Sequence, residues 1–363
     1  MKALIAMSGG VDSSVAAYLM KKRGYECIGA TMRLFDNETA GIDGESTCCS
    51  LSDVEDARMV AASLDMPFYV FNFTGDFRAC VIDDFIEEYA IGHTPNPCIR
   101  CNRYLKFEKL FERADMLGCE RIVTGHYACI ERDEESGRYL MKKAKDPGKD
   151  QTYVLYNLSQ GQLKRVCFPL ADYRKEEIRA IASENNFLNA EKHDSQDICF
   201  VPDGNYAAVI ERFSGKTFER GPFVGPDGEI LGEHKGIIHY TIGQRRGLGL
   251  SLKEPLYVKK LDLINNAVIL GRNEELFTRE LTAGAVNWIM YDENALPEVI
   301  EAGVKVRYSQ RESRARIHTL GKNQVKVIFE EPVRAVTPGQ SAVFYSGDYV
   351  IGGGIIEGGI IEG

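Results

Sequence analysis

The 363-residue chain predicts an α/β protein: a doubly wound parallel-sheet domain at the amino terminus, then a β-rich central domain and a small carboxyl-terminal antiparallel β-barrel. Three observations carry this. Through the first 200 residues, short apolar runs alternate with amphipathic stretches, as a parallel sheet covered by helices requires. After residue 203 glycine, proline and short β-branched runs take over, as in GPFVGPDGEILG, the mark of strands joined by tight turns. From Leu281 onward, brief alternating segments follow one another closely, as in a small barrel or sandwich. These changes divide the chain into domains 1–202, 203–280 and 281–363.

The elements follow in order. Residues 3–7 read as the first strand, and 11–23 as a helix with Val15, Leu19 and Met20 on one face, stopped by Gly24. Residues 27–32 are the second strand. A helix over 52–64 is opened by Ser52 with Glu55 three residues on, a capping box, and 68–73 is the next strand. Helices over 77–89 and 106–117 precede a strand at 121–124, and 174–184 is the last clear helix. Beyond residue 203 long helical patterns are not expected. Barrel strands are predicted at 302–308, 313–319, 324–329 and 340–345. In the tail GGGIIEGGIIEG the first IIE reads as a closing strand and the rest as a frayed end.

The net charge of −9 argues against a protein that coats nucleic acid indiscriminately, since phosphate binding needs clustered cations. Two local basic features remain. Lys305, Arg307, Arg311, Arg314 and Arg316 face only Glu301 and Glu312, a run that by itself reads first as a solvated strand face; Arg245 and Arg246 sit in a glycine-rich loop. No run of about 18 apolar residues exists to span a membrane, and the opening MKALIAMSGG is too short for a signal peptide, so a soluble, cytoplasmic protein is expected. In that setting the ten cysteines are expected to be reduced. Cys27, Cys119, Cys129 and Cys167 lie in or beside apolar segments and read as packed thiols, whereas Cys98, Cys101 and Cys199 do not.

Three motifs carry chemistry. Ser8-Gly9-Gly10-Val11-Asp12-Ser13-Ser14 lies between a strand and a helix. There the backbone N–H groups, the helix dipole and the serine hydroxyls form a phosphate cradle, with Asp12 to hold Mg2+ or orient the loop. It is neither a Walker loop nor a dinucleotide fingerprint. The second motif is Asn96-Pro97-Cys98-Ile99-Arg100-Cys101-Asn102. Its C-x-x-C admits a redox pair, metal ligation, or a nucleophile beside a helper thiol. A structural zinc wants two more well-spaced ligands; no second C-x-x-C or H-x-x-x-H supplies them, and the adjacent Cys48 and Cys49 would rarely chelate one ion, which moves the catalytic reading ahead. The third is HDSQDICF over 193–200, a polar run ending in Cys199 where the first domain ends; alone it reads equally as a boundary turn with a buried thiol.

SGGVDSS resembles the loop of ATP pyrophosphatases, which transfer AMP to a carbonyl oxygen and release pyrophosphate. Together with NPCIRCN, TGHYA at 124–128, KDQTYVL at 149–155, DSQDICF and YTIGQRRGLG at 240–249, it resembles the bacterial tRNA-specific 2-thiouridylases, in order from residue 1 to about 357. The resemblance implies ATP binding by Ala6, Met7, Ser8, Gly9, Gly10, Val11, Asp12 and Ser13, with Met32 and Gly125 near the adenine. It implies adenylation of the wobble uridine O2 in tRNAs for Lys, Glu and Gln, which makes AMP the leaving group for sulfur. Cys199 matches the persulfide carrier, charged by a cysteine desulfurase or a sulfur-carrier protein. Cys101 matches the partner nucleophile, which frees sulfide or closes a disulfide with Cys199. Asn96, Pro97 and Cys98 match the contact to the flipped-out base; Lys149, Asp150, Gln151, Arg307 and Tyr308 match tRNA contacts, with His126 and Gln340 as further positions. No membrane partner is implied.

Where some family members carry Asp, this chain has Cys98. Cys98, Cys101 and Cys199 then form a candidate ligand set for a [4Fe-4S] cluster that would bind sulfide at its open iron. The persulfide route needs only Cys101 and Cys199 and is placed ahead. The rival readings are another ATP pyrophosphatase, which has no use for the two cysteines, and a noncatalytic RNA-binding or cluster-carrying protein.

Overall fold

The computed structural model describes residues 1–35, 51–192, 198–201 and 204–360; the side chains of Leu51 and Ile360 are outside that description. The chain forms two compact units, Met1–Ile82 with Pro97–Gly204 and Asp348–Val350, and Asp83–Asn96 with Asn205–Gly347 and Ile351–Gly363.

The first unit is built on a five-stranded parallel sheet. Its strands are β1 (Lys2–Ala6), β2 (Glu26–Arg33), β3 (Phe68–Asn72), β4 (Arg121–Val123) and, after a hairpin of β5 (Cys129–Arg132) and β6 (Tyr139–Lys142), β7 (Val166–Cys167). The order is β3-β2-β1-β4-β7, with Leu4 of β1 opposite Ile28 on one side and Ile122 on the other. Strand order reverses at β1, so the crevice outside the carboxyl ends of β1 and β4 is where an open α/β sheet binds its ligand. Helix α1 (Val11–Lys22) is buried along Val11, Val15, Ala16, Leu19 and Met20, which pack with Ala3 and Ile5 of β1, Cys27 of β2 and Ile178. Tyr349 pairs with Lys142 at the edge of the hairpin.

Several elements differ from expectation. Helix α2 (Leu51–Ser63) is already under way at Leu51, so Ser52 stands inside its first turn rather than capping it. The next helix starts at Thr74 and widens to π geometry over Arg78–Ile82. The helix expected from residue 106 begins at Pro97 and runs through a π stretch, Asn102–Lys109, into Leu110–Met116. Proline with its fixed φ favours the first helical position, a start signal present in the sequence at Pro97. Wide π turns are rare and recur at functional sites, and this one begins at the residue after Cys101.

The second unit holds a four-stranded sheet of β8 (Gly221–Val224), β9 (Ile230–His234), β10 (Tyr257–Asp262) and β11 (Ala267–Gly271), ordered β10-β11-β8-β9. It also holds a closed six-stranded antiparallel barrel. That barrel comprises β12 (Phe277–Trp288), β13 (Val299–Lys305), β14 (Ser313–Thr319), β15 (Gln324–Arg334), β16 (Ser341–Ser346) and β17 (Tyr349–Ile360). The order is β12-β15-β14-β13-β16-β17, and β17 returns to pair with β12, which removes the open edge. Leu281, Trp288, Ile300, Val304, Ile317, Val327, Phe344 and Ile356 fill it. On β14, Arg314 and Arg316 are exposed and alternate with buried Ala315 and Ile317, the solvated strand face expected of that basic run.

Two features of this unit depart from the sequence expectation. A helix, Tyr206–Ser214, follows residue 203, with the Asn205 side chain accepting from Ala208 N at 3.2 Å and Gly215 ending it at φ +65°. Both signals are local and readable. The tail does not fray after the first IIE: β17 runs on through Gly358, Gly359 and Ile360, and the last three residues lie outside the described ones.

Candidate functional site

The glycine loop leaves β1 and enters α1 as the sequence suggests, and its geometry explains each residue. Gly9 has φ +74°, and a Cβ there would lie 2.3 Å from the Asp53 carbonyl oxygen. Gly10 is the N-cap residue with no side-chain cap, so the first-turn N–H groups of a twelve-residue helix face the crevice. Ser13 Oγ donates to Gly10 O at 2.9 Å and accepts from Ser8 N at 3.2 Å; Ser14 Oγ donates to Gly10 O at 3.1 Å. Buried Asn189 donates from Nδ2 to Gly9 O and Ser14 Oγ, each at 2.9 Å. Thr31 Oγ1 donates to Met7 O at 2.7 Å, fixing the exit from β1. The serine hydroxyls thus shape the loop, Ser13 taking up Ser8 N, while the uncapped N–H groups at the start of α1 remain for a phosphate chain.

Asp12 lies at the centre of a wider network. Lys175 Nζ stands 2.7 and 2.8 Å from its two carboxylate oxygens, and Tyr127 OH donates to Oδ1 at 2.8 Å. Tyr127 N donates to Gln151 Oε1 and Gln151 N to Tyr127 O, both at 2.9 Å. Lys175 N donates to Asp146 Oδ2 at 3.0 Å. Gly125 closes against the helix start, where a Cβ would be 2.8 Å from Asp12 C and from Ser13 N. Asp12 is thus held at the start of α1 by Lys175 and Tyr127. Among the described residues no three His, Cys, Asp or Glu side chains gather as a metal site.

Lys175, Tyr127 and Asn189 were not singled out from the sequence. Only Tyr127, inside TGHYA, lay within a motif. Beside them, Lys192 Nζ bonds Asp53 and Asp56, each at 2.6 Å, and Arg179 donates to Ala190 O and Lys192 O at 3.0 and 3.1 Å. These contacts fix the chain just before residues 193–197 of the HDSQDICF motif, which lie outside the described residues.

The two cysteine segments are anchored differently. Cys101 is buried at the end of the short helix Pro97–Cys101, and Cys98 is exposed on it. That helix is held by Asn157 Nδ2, donating to Ile99 O at 3.2 Å, and by Asn102 Nδ2, donating to Val154 O at 2.9 Å. Cys199 is half-buried in a turn where Val201 N donates to Ile198 O at 2.8 Å. Its neighbour Phe200 is buried with its ring 5.7 Å from that of Phe77. The Pro97–Cys101 helix packs on the π turn that follows Phe77, so both cysteine segments lean on one helical stretch, Thr74 to Ile82. Cys101 and Cys199 are not joined in a disulfide. Among the described residues, Cys98, Cys101 and Cys199 are not grouped as a three-ligand metal set.

Cys27, Cys119, Cys129 and Cys167 are poorly suited to chemistry. Burial pushes the Cys27 thiol up to about 11 and raises Cys119, Cys129 and Cys167 as well, so all four are protonated near neutrality.

The residues expected at tRNA divide between the two units. In the first, His126 is half-buried between the Phe107 and Phe168 rings, at 6.1 and 5.9 Å, with Nδ1 2.7 Å from Thr124 Oγ1. Burial, helped by the Lys106 charge, holds its pKa well below the usual histidine value, so the ring is neutral. Asp150 accepts from Ala144 N and Thr152 Oγ1 at 3.2 and 2.6 Å, and Gln151 faces Tyr127, which leaves Lys149 as the cation of that trio. In the second unit, Gln340 Nε2 donates to Thr94 O at 2.6 Å, and Tyr308 is 45% exposed. Arg307 Nη2 donates to Ile242 O, Ala335 O and Thr337 Oγ1 at 3.1, 2.8 and 2.8 Å. Met32 is half-buried on β2, and Asn96 and buried Pro97 lead into the cysteine helix.

A family model described as a tRNA methyl transferase HUP domain matches residues 1–203. A tRNA methyl transferase PRC-barrel domain matches 208–272, and an aminomethyltransferase beta-barrel domain 278–356. The chain is 51% identical over 354 residues to a tRNA-specific 2-thiouridylase MnmA of Clostridioides difficile, covering 98% of this chain and 97% of that one. It is 49% identical to one of Clostridium acetobutylicum, covering 98% and 99%. A solved 4-thiouridine synthetase–RNA complex with bound ATP is 18% identical over 59% of this chain and 53% of its own, with a TM-score of 0.38, too low to build on. By its near-complete match to these relatives, the chain belongs to the tRNA-specific 2-thiouridylase family.

Proposed function

We propose that this protein is an ATP-dependent tRNA-uridine 2-sulfurtransferase. The observation that carries the reading is the pairing of an uncapped, glycine-lined phosphate cradle with two reduced cysteines on segments that share one supporting helix.

ATP lies with its phosphates on the loop Ala6 to Ser13 and its adenine toward Met32 and Gly125. Backbone donors of the loop are fixed before ATP arrives, so they stabilise charge on the phosphates without reorganising. The wobble uridine of tRNA for Lys, Glu or Gln, turned out of its stack toward Asn96, Pro97 and Cys98, attacks the α-phosphate with O2 and expels pyrophosphate. Cys199 carries a persulfide received from a cysteine desulfurase or a sulfur-carrier protein. Thiolate Cys101 attacks its Sγ, breaks the S–S bond and releases hydrosulfide, which adds to C2 and expels AMP with the former O2. A Cys101–Cys199 disulfide remains and is returned to two thiols by an external thiol reductant. Domain 1–202 performs this chemistry, while 203–280 and 281–363 hold the tRNA through Arg307, Tyr308 and Gln340, helped by Lys149 to Gln151 and His126. The work is placed in the cytoplasm, where such a reductant is abundant.

Cys101→Ser and Cys199→Ser are each expected to abolish 2-thiouridine formation, read by mass spectrometry of tRNA nucleosides, while ATP affinity stays within about twofold of the parent. Pyrophosphate release should still require ATP and tRNA together. A Cys199→Ser protein that thiolates tRNA at the parental rate would overturn the mechanism.

A further inference from the structure

The loop at 240–249 carries the motif YTIGQRRGLG, and its two arginines have no part in the chemistry above. Its base is tightly fixed within the second unit. Gly243 N donates to Val258 O at 2.7 Å, and Val258 N to Gln244 O at 2.9 Å. Thr241 N donates to Gln244 Oε1 and Gln244 Nε2 to Arg246 O, both at 3.0 Å. Gly243 has φ +86°, and a Cβ there would lie 2.8 Å from that of Ala335, so the loop lies flat against the segment leading to Thr337. At the tip Arg245 and Arg246 are both exposed, and neither forms an ion pair among the described residues.

Arg307 bears on this loop directly. Its Nη2 reaches Ile242 O, inside the loop, together with Ala335 O and Thr337 Oγ1 beneath it. Thr94 Oγ1 meets Thr241 Oγ1 at 3.5 Å, and Gln340 Nε2 donates to Thr94 O. The loop is therefore braced by Arg307, whose neighbour Tyr308 is exposed, and linked through Thr94 to Gln340. On a chain of net charge −9, two adjacent unpaired guanidinium groups on an immobilised loop form a local cationic site.

We propose that Arg245 and Arg246 bind backbone phosphates of the RNA substrate, on a loop that Arg307 braces through Nη2. This rests on the sulfurtransferase reading for the identity of the RNA. Guanidinium forks match phosphate oxygens in pairs, and a loop already ordered loses little freedom on binding. A nearby exposed ring favours a nucleic acid over an acidic peptide, because it offers a stacking face for a base.

The test measures tRNA affinity across a salt series for the full-length parent, the Arg245→Ala/Arg246→Ala variant and Arg307→Ala. The double variant is expected to bind tRNA about tenfold more weakly and to lose roughly 1–2 from the slope of log affinity against log salt, with ATP affinity and Tm unchanged. Arg307→Ala is expected to lower Tm as well, because it removes the strut. Arg245→Lys/Arg246→Lys should recover most of the salt slope but only part of the affinity. If the parent binds tRNA and the double alanine variant binds it equally, with the same slope, this proposal falls and the sulfurtransferase reading stands. If the parent itself does not bind tRNA, both fall. A double variant impaired only in accepting sulfur from a persulfide donor would also overturn it, by making the loop a protein-docking site.

Discussion

The molecule has two glycine-rich loops, Ser8 to Ser14 and Tyr240 to Gly249, and each is held in place by a dense set of hydrogen bonds while using charge in the opposite way. In the first, the one charged side chain, Asp12, is turned back into the protein and neutralised by Lys175 at 2.7 Å, so the loop presents backbone N–H groups. In the second, the backbone is consumed in fixing the loop, and Arg245 and Arg246 project outward. The difference teaches what each geometry suits. A compact polyphosphate is enclosed by short, directional backbone donors, whereas a long polyanion is met by side chains that reach across solvent.

The largest effect is expected from putting a side chain where the first loop admits none. Gly9→Ala combines a left-handed φ with a Cβ 2.3 Å from Asp53 O, and roughly a hundredfold loss of ATP affinity by calorimetry is expected. Near-parental affinity would mean that the close approach to Asp53 is not needed for the cradle.

The neutralisation of Asp12 comes next. Lys175→Met leaves the carboxylate without its cation beside the phosphates, and about a tenfold loss of ATP affinity is expected. Asp12→Asn/Lys175→Met should bind ATP better than Lys175→Met alone, because it also removes the uncompensated anion. A double variant no better than the single one would show that Lys175 acts otherwise than by balancing Asp12.

The smallest effect concerns His126, neutral between two phenylalanine rings beyond β4. Its folded pKa lies below that of the unfolded chain, so the unfolded state binds the extra proton first. Stability is therefore fully present above about pH 6.5 and declines as pH falls below it. His126→Gln should lose less Tm between pH 7.5 and 5.5 than the parent. An equal loss would assign that acid sensitivity to other groups.

Legibility differs along the chain for physical reasons. The SGGVDSS loop was readable because a strand, a glycine turn and a helix start are set by consecutive residues. Pro97 and Asn205 carried equally local start signals that the periodicity alone did not reveal. The π turns at Arg78–Ile82 and Asn102–Lys109 have no comparable signature in residue type.

By itself the sequence determined the α/β class, the β-rich remainder, the phosphate loop, and which cysteines stand apart from the packed ones. The tertiary structure alone decided which distant groups meet. Lys175 reaches Asp12 across 163 residues of chain, Asn189 reaches Gly9 across 180, and Gln340 reaches Thr94 across 246. It also decided that Asp12 is spent on an ammonium, that Arg307 is spent on carbonyls, and that Arg245 and Arg246 are not. A local motif is encoded by the steric preferences of neighbouring residues, whereas a long-range pairing exists only once the closed sheet and barrel have brought its partners together.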